Sequence, residues 1–267
     1  MEVRAHMKNS IRTIAAAAAL FALPASGAQA ITNGTATTNH DYVGALVSHD
    51  DTGRYLICTG TLISPTVFMT AAHCLVDEPT DYLEVSFDSF VGAPDVGPDV
   101  TLHRGTPYGH PAFEDETAPG DTHDIAVIVL DEPVKGVKTA KLPSKNALTK
   151  LARRDVLDEL RFGVVGYGRE GYDAGSDEFF GGGGKRSAFT AFDKLEDFKL
   201  FNDQTGSTGG TCRGDSGGPV FLGAGRVVVG IVSDGDETCM EHGVNYRTDT
   251  KSARSFLKPF LKSRDDD

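Results

Sequence analysis

Near its C-terminal end the chain carries Gly214-Asp215-Ser216-Gly217-Gly218-Pro219, with Cys212 close by. A serine set between an aspartate and glycines is a candidate for nucleophilic attack and covalent hydrolysis. An unassisted hydroxyl is a weak nucleophile at neutral pH, so Ser216 needs a base within hydrogen-bond reach. His73, in Thr70-Ala71-Ala72-His73-Cys74, has the right chemistry: it takes the hydroxyl proton on attack and returns it to the leaving group. Asp124 opens the apolar run Ile125 to Leu130, a placement that permits a buried carboxylate fixing the imidazole tautomer and stabilising imidazolium. Gly214 lets its N–H converge with that of Ser216 on a developing oxyanion. Gly217 and Gly218 tolerate the tight backbone that follows. Taken singly, the histidine reads as structural and the aspartate as a turn cap.

The elements that must hold these groups are short. Tyr42 to Val47, Tyr55 to Ile63, Phe68 to Ala72, Leu83 to Phe87, Ile125 to Leu130, Phe162 to Val165 and Val227 to Val232 are apolar, turn-bounded runs. Their Val, Ile and aromatic content predicts strands. A seam near residues 134 to 155 divides the chain, and a helix is expected over Ser252 to Leu261, with Pro259 interrupting or ending it. The tetraglycine Gly181 to Gly184 is followed by Lys185-Arg186, without the Lys-Ser/Thr of a phosphate-binding loop, and reads as a flexible surface loop. The acidic run Glu114, Asp115, Glu116 and Asp121 does not have the spacing of a calcium loop and reads as solvated.

The first 30 residues place Arg4, Lys8 and Arg12 before an apolar run from Ile14 to Leu23, then Pro24 and the small-residue ending Ala28-Gln29-Ala30. That pattern predicts a secretory signal over 1–30 and an extracellular mature protein. No later run is long and apolar enough to span a membrane. The chain of 267 residues has formal charge -12, and the leader carries +2, leaving -14. Such an acidic surface argues against indiscriminate binding to nucleic acid or anionic membrane. All four cysteines follow the leader, as suits an oxidising route; their number alone leaves three pairings open. No CxxC pair suggests a metal, and no cofactor is expected.

The motifs around His73, Asp124 and Ser216, in that order, resemble those of the chymotrypsin/trypsin family of serine proteases. The resemblance extends over most of residues 31 to 261. It implies an all-β fold of two packed six-stranded antiparallel barrels with a C-terminal helix, divided here as 31–137 and 138–267. It also implies disulfides Cys58–Cys74 and Cys212–Cys239, whose loops suggest about 3 kcal/mol each from closure entropy. Activity as a monomer on polypeptide substrates, subject to protein inhibitors, follows from the same likeness. Ile31-Thr32-Asn33-Gly34 resembles the family's mature N-terminus, whose ammonium would pair with Asp215. Ser233 corresponds to the serine that supports the triad aspartate and begins the segment pairing with substrate backbone.

By the same resemblance Gly210 falls at the base of the specificity pocket. Thr211 adds a hydroxyl nearby, while Gly235 and Gly243 match the small wall positions. An uncharged floor implies cleavage after uncharged or aromatic residues, with Gly210→Asp expected to shift preference toward basic ones. Asp234 replaces an aromatic wall residue, and Asp236, Glu237 and Glu241 surround Cys239. Those acids keep open an Arg/Lys preference. A protease-like binding protein with little turnover and a non-proteolytic esterase are the other readings.

Overall fold

Turn-punctuated runs of branched and aromatic residues form antiparallel strands because such side chains pack well on a pleated surface. The computed structural model describes residues 31–79, 81–205 and 209–261; the leader-like segment lies outside them. In chain order the strands are β1 (Thr35–Ala36), β2 (Val43–His49), β3 (Arg54–Ser64), β4 (Val67–Thr70), β5 (Leu83–Ser86), β6 (His103–Gly109) and β7 (Ala126–Leu130). After helix α1 (Ala147–Ala152) come β8 (Arg161–Gly166), β9 (Gly171–Asp173), β10 (Glu178–Phe180), β11 (Arg186–Leu195) and β12 (Lys199–Asp203). β13 (Pro219–Leu222), β14 (Val228–Gly235), β15 (His242–Arg247) and helix α2 (Lys251–Leu257) complete the chain.

The first barrel closes in the order β2-β3-β4-β7-β6-β5. The second runs β8-β11-β12-β15-β14-β13 and closes because β8 pairs with both β11 and β13, while β1 adds to β11. The protein is therefore all-β, two six-stranded antiparallel barrels with a C-terminal helix. Closure removes the exposed edges that open sheets present.

Val43, Leu46, Leu62, Phe68, Val85 and Val127 belong to a buried cluster that continues through Val165, Tyr167 and Phe221 to Ala253 and Leu257 of α2. The barrels and the helix thus share one packed seam. The Tyr167 hydroxyl crosses it, donating to the Asp88 carbonyl at 2.7 Å. A second cluster gathers Phe162, Val164, Leu200, Val220 and Val229 around Ile31 and Leu148. Thr250 caps α2 by accepting from the Ala253 amide at 3.2 Å. The helix stops at Leu257, short of the expected Leu261: Lys258 still donates to Arg254 O, but Pro259 has no N–H to continue the ladder.

Two features of this frame prepare a site. The antiparallel pairing of β4 with β7 sets Thr70 opposite Ala126, so His73 and Asp124 run off the same end of the first barrel. The connection between barrels is pinned at both sides: Ala140 N–H donates to Leu62 O at 2.9 Å and Lys141 N–H to Arg226 O at 2.8 Å.

Candidate active site

His73 begins a single turn of 3-10 helix after β4. Its Nδ1 lies 2.9 Å from Asp124 Oδ2, and its backbone N–H donates to Oδ1 at 3.0 Å. Ser233 Oγ, from β14, donates to Asp124 Oδ2 at 2.5 Å. Asp124 is fully buried. Burial, the largest influence on it, raises its pKa, but the His73 and Ser233 contacts prevail and hold it below the ordinary carboxylate value. For His73, burial again acts first and favours the neutral ring. The Asp124 hydrogen bond and charge, with Glu116 and Asp234, outweigh it and raise the imidazole pKa above 6.5. Both shifts favour an imidazolium-carboxylate pair.

Ser216 lies on the loop before β13, and the first barrel holds that loop. The Thr59 amide donates to Ser216 O at 2.8 Å, and Thr59 Oγ1 donates to Gly214 O at 3.0 Å. Gly217 has φ +78°, and a Cβ there would lie 2.0 Å from Thr70 Oγ1, so only glycine lets the loop press this closely. Among the described residues, the Gly214 and Ser216 amides donate to no protein group; Ser216 lines the cleft, whereas Gly214 lines a neighbouring hollow with Gly168 and Arg169. Ser216 and His73 line one cleft of about 330 Å³ between the barrels, without a mutual hydrogen bond; His73 Nε2 lies 3.7 Å from Cys74 Sγ.

A disulfide joins Cys58 of β3 to Cys74 beside His73, and another joins Cys212 to Cys239, tying the serine loop to the segment after β14. Cys58, His73 and Cys74 are the described His, Cys and acidic groups near enough to share a metal. Both sulfurs are spent in the disulfide and offer no thiolate.

Asp215 points away from the cleft into a fully buried site. Its Oδ1 accepts from the Gly168 amide and Oδ2 from the Cys212 amide, both at 2.9 Å. A Cβ on Gly166 would stand 2.0 Å from Oδ1, so the Gly166-Tyr167-Gly168 segment clears the space. Burial pushes the pKa of Asp215 up to about 7 against these two hydrogen bonds. Among the described side chains no cation pairs with it. Ile31 is fully buried in the second-barrel cluster. Its neighbour Thr32 exchanges backbone hydrogen bonds with Gly210 at 2.9 and 3.0 Å. Ile31 has φ +58°, a conformation costly for a β-branched residue.

Thr211, Ser233, Asp234 and Gly235 line the cleft with His73 and Ser216. Gly210 and Gly243 do not; both face the buried side chain of Gln204. Asp236 is engaged by its own loop, accepting from the Thr238, Met240, Glu241 and His242 amides. Although burial acts against it, these bonds hold its carboxyl well below the usual range. Glu116, expected in a solvated loop, instead lines the cleft. Asp121 likewise has a partner, accepting from the Tyr246 hydroxyl at 2.9 Å. Neither placement had a local signal in the sequence.

Two barrels with a His–Asp pair facing a serine across their seam define a serine-hydrolase architecture. The sequence pattern of the trypsin family matches residues 31–257, and the chain belongs to that family: it is a trypsin-fold serine protease acting on peptide bonds. It is 26% identical to Homo sapiens granzyme M over 210 residues, 69% of this chain and 71% of granzyme M. Among solved structures, HL collagenase shares the fold with a TM-score of 0.66 at 20% identity, over 88% of this chain and 100% of its own.

Proposed function

We propose that the protein is an exported endopeptidase that forms an acyl-enzyme on Ser216. The carrying observation is His73 held by a buried Asp124, on the wall of the cleft that Ser216 also lines. Ser216 Oγ bonds to the scissile carbonyl carbon as its proton passes to His73 Nε2, and the carbonyl oxygen takes the negative charge. The Gly214 and Ser216 amides receive that oxyanion. Collapse breaks the C–N bond, and His73 protonates the leaving amine. Water, deprotonated by His73, then releases the acid and restores Ser216.

Substrate backbone is received at β14. Its pairing with β13 ends at Ile231, and beyond Val232 the edge from Ser233 to Gly235 is open to an added strand. Polypeptides, and protein inhibitors presenting an extended segment, fit that edge. Asp236, held by its own loop, is turned from a substrate cation, which favours uncharged residues before the cut over Arg or Lys.

The pH profile tests the base. His73 must be neutral to accept the proton, and its pKa is raised, so kcat/KM falls on acidification with an apparent pKa above 6.5. Glu116→Gln removes a charge that favours imidazolium, and should move this limb to lower pH. A limb at or below the ordinary histidine value, unmoved by Glu116→Gln, would contradict the assigned environment. Peptide and ester substrates compared on one preparation separate proteolysis from esterase activity alone.

A further inference from the structure

Gln204 follows β12 and is 3% exposed. Its Oε1 accepts from the Thr211 amide at 2.7 Å and from Thr211 Oγ1 at 3.0 Å, while Nε2 donates to Thr211 O at 3.2 Å. Three bonds to a single residue fix the side-chain amide. A Cβ on Gly210 would meet Gln204 Cδ at 2.4 Å and Nε2 at 2.7 Å, and a Cβ on Gly243 would meet Oε1 at 2.8 Å. The space that both glycines face is therefore already filled by one carboxamide. The open cleft is lined by Thr211, Val232 and Gly235 and not by Gln204, Gly210 or Gly243.

We infer that Gln204 is a specificity-determining residue, a neutral plug that shortens the pocket and restricts cleavage to sites after small uncharged side chains. This rests on the reading that Ser216 forms the acyl-enzyme and that the segment from Gly210 to Ser216 receives the preceding side chain. Leu, Phe and Tyr need depth that Gln204 occupies, and displacing it breaks three buried hydrogen bonds. A cationic side chain meets an amide already engaged with Thr211. The aromatic preference drawn from Gly210 alone is thereby removed. Gly210→Asp does not create a basic-residue pocket while Gln204 stands within 3 Å of the new side chain.

The test is a peptide series differing only in the residue before the cut, Ala, Val, Leu, Phe or Arg, cleaved by the processed wild type, Gln204→Ala and Gln204→Met. For the wild type, kcat/KM for Ala should exceed that for Phe or Arg by about tenfold or more. Gln204→Ala should raise the Phe-to-Ala and Leu-to-Ala ratios by at least about tenfold. Gln204→Met keeps the bulk without the hydrogen bonds and should preserve the wild-type ranking, separating occupancy from polarity. Wild-type cleavage after Phe as fast as after Ala, or an unchanged ranking in folded Gln204→Ala, overturns the inference. If Gln204→Ala does not fold, the wild-type and Gln204→Met rankings decide it. Labelling by a fluorophosphonate distinguishes the two levels: a labelled enzyme with the wrong ranking refutes the plug, whereas no label at Ser216 refutes the underlying acyl-enzyme reading.

Discussion

Ser216→Ala should lower kcat for peptide hydrolysis by on the order of 10⁶, and His73→Ala by a similar factor. The double variant should be little worse than either, because base and nucleophile act in one proton transfer and losing one idles the other. Asp124→Asn should cost on the order of 10⁴. Asp124 receives hydrogen bonds from the His73 amide and Ser233 as well as facing Nδ1. An asparagine presents an N–H to at least one of these groups and loses the charge that stabilises imidazolium. Ser216 lies on a loop held through backbone contacts to Thr59, so Ser216→Ala should keep the thermal midpoint and peptide affinity. Near-normal turnover by an uncontaminated Ser216→Ala preparation would sink the assignment.

The second large effect concerns the N-terminus. A protein beginning at Ile31 should be active, and one retaining residues 1–30 should be weaker by at least about 10²-fold, the equivalent of roughly 3–5 kcal/mol for a buried charge without its partner. Asp215 is the origin of that cost. While Ile31 remains peptide-bonded, no described cation faces this carboxylate, and its pKa is about 7. Cleavage before Ile31 creates an ammonium on the segment already pinned to Gly210, and relieves the positive φ of Ile31 by removing the preceding carbonyl.

The same geometry fixes the sign of a stability effect. In the unprocessed protein the folded state holds a proton on Asp215 that the unfolded state releases near 3.8. The resulting stabilisation is complete below that value and is lost as pH rises toward about 7. Processing should flatten this slope, as should Asp215→Asn. N-terminal mass spectrometry paired with active-site titration checks the activation step. Full titration from molecules retaining any residue before Ile31 would refute it and leave the roles of Ser216, His73 and Asp124 untouched.

The chemistry was legible where it depends on a few consecutive residues. His73, Asp124 and Ser216 each sit in a short motif at the end of, or before, a strand rich in branched residues, so pattern and function coincide there. Strands β4, β7 and β14 were likewise visible as apolar runs. β6 was not, because His103 to Gly109 includes Gly105 and Pro107, residues that disfavour a central strand. β11, β12 and β15 mix charged and polar residues with apolar ones, since barrel strands present alternate faces to different surroundings.

The larger omission was Gln204, which no spacing rule links to Gly210 or Gly243. Pairing of Asn202 with Gly243 across β12 and β15 brings the following Gln204 against both Gly210 and Gly243. Only the register makes that meeting. Glu116 was hidden for a similar reason: a charge in an acidic loop resembles a solvated one until the fold lays that loop along the cleft.

The most direct measurement is covalent capture of the nucleophile. The processed protein, reacted with a fluorophosphonate and digested for mass spectrometry, should carry one adduct per chain, on Ser216. The reaction should accelerate as His73 loses its proton and slow sharply in His73→Ala and Asp124→Asn. An adduct on another residue, or continued peptide hydrolysis with Ser216 unmodified at saturating reagent, would contradict a Ser216 acyl-enzyme.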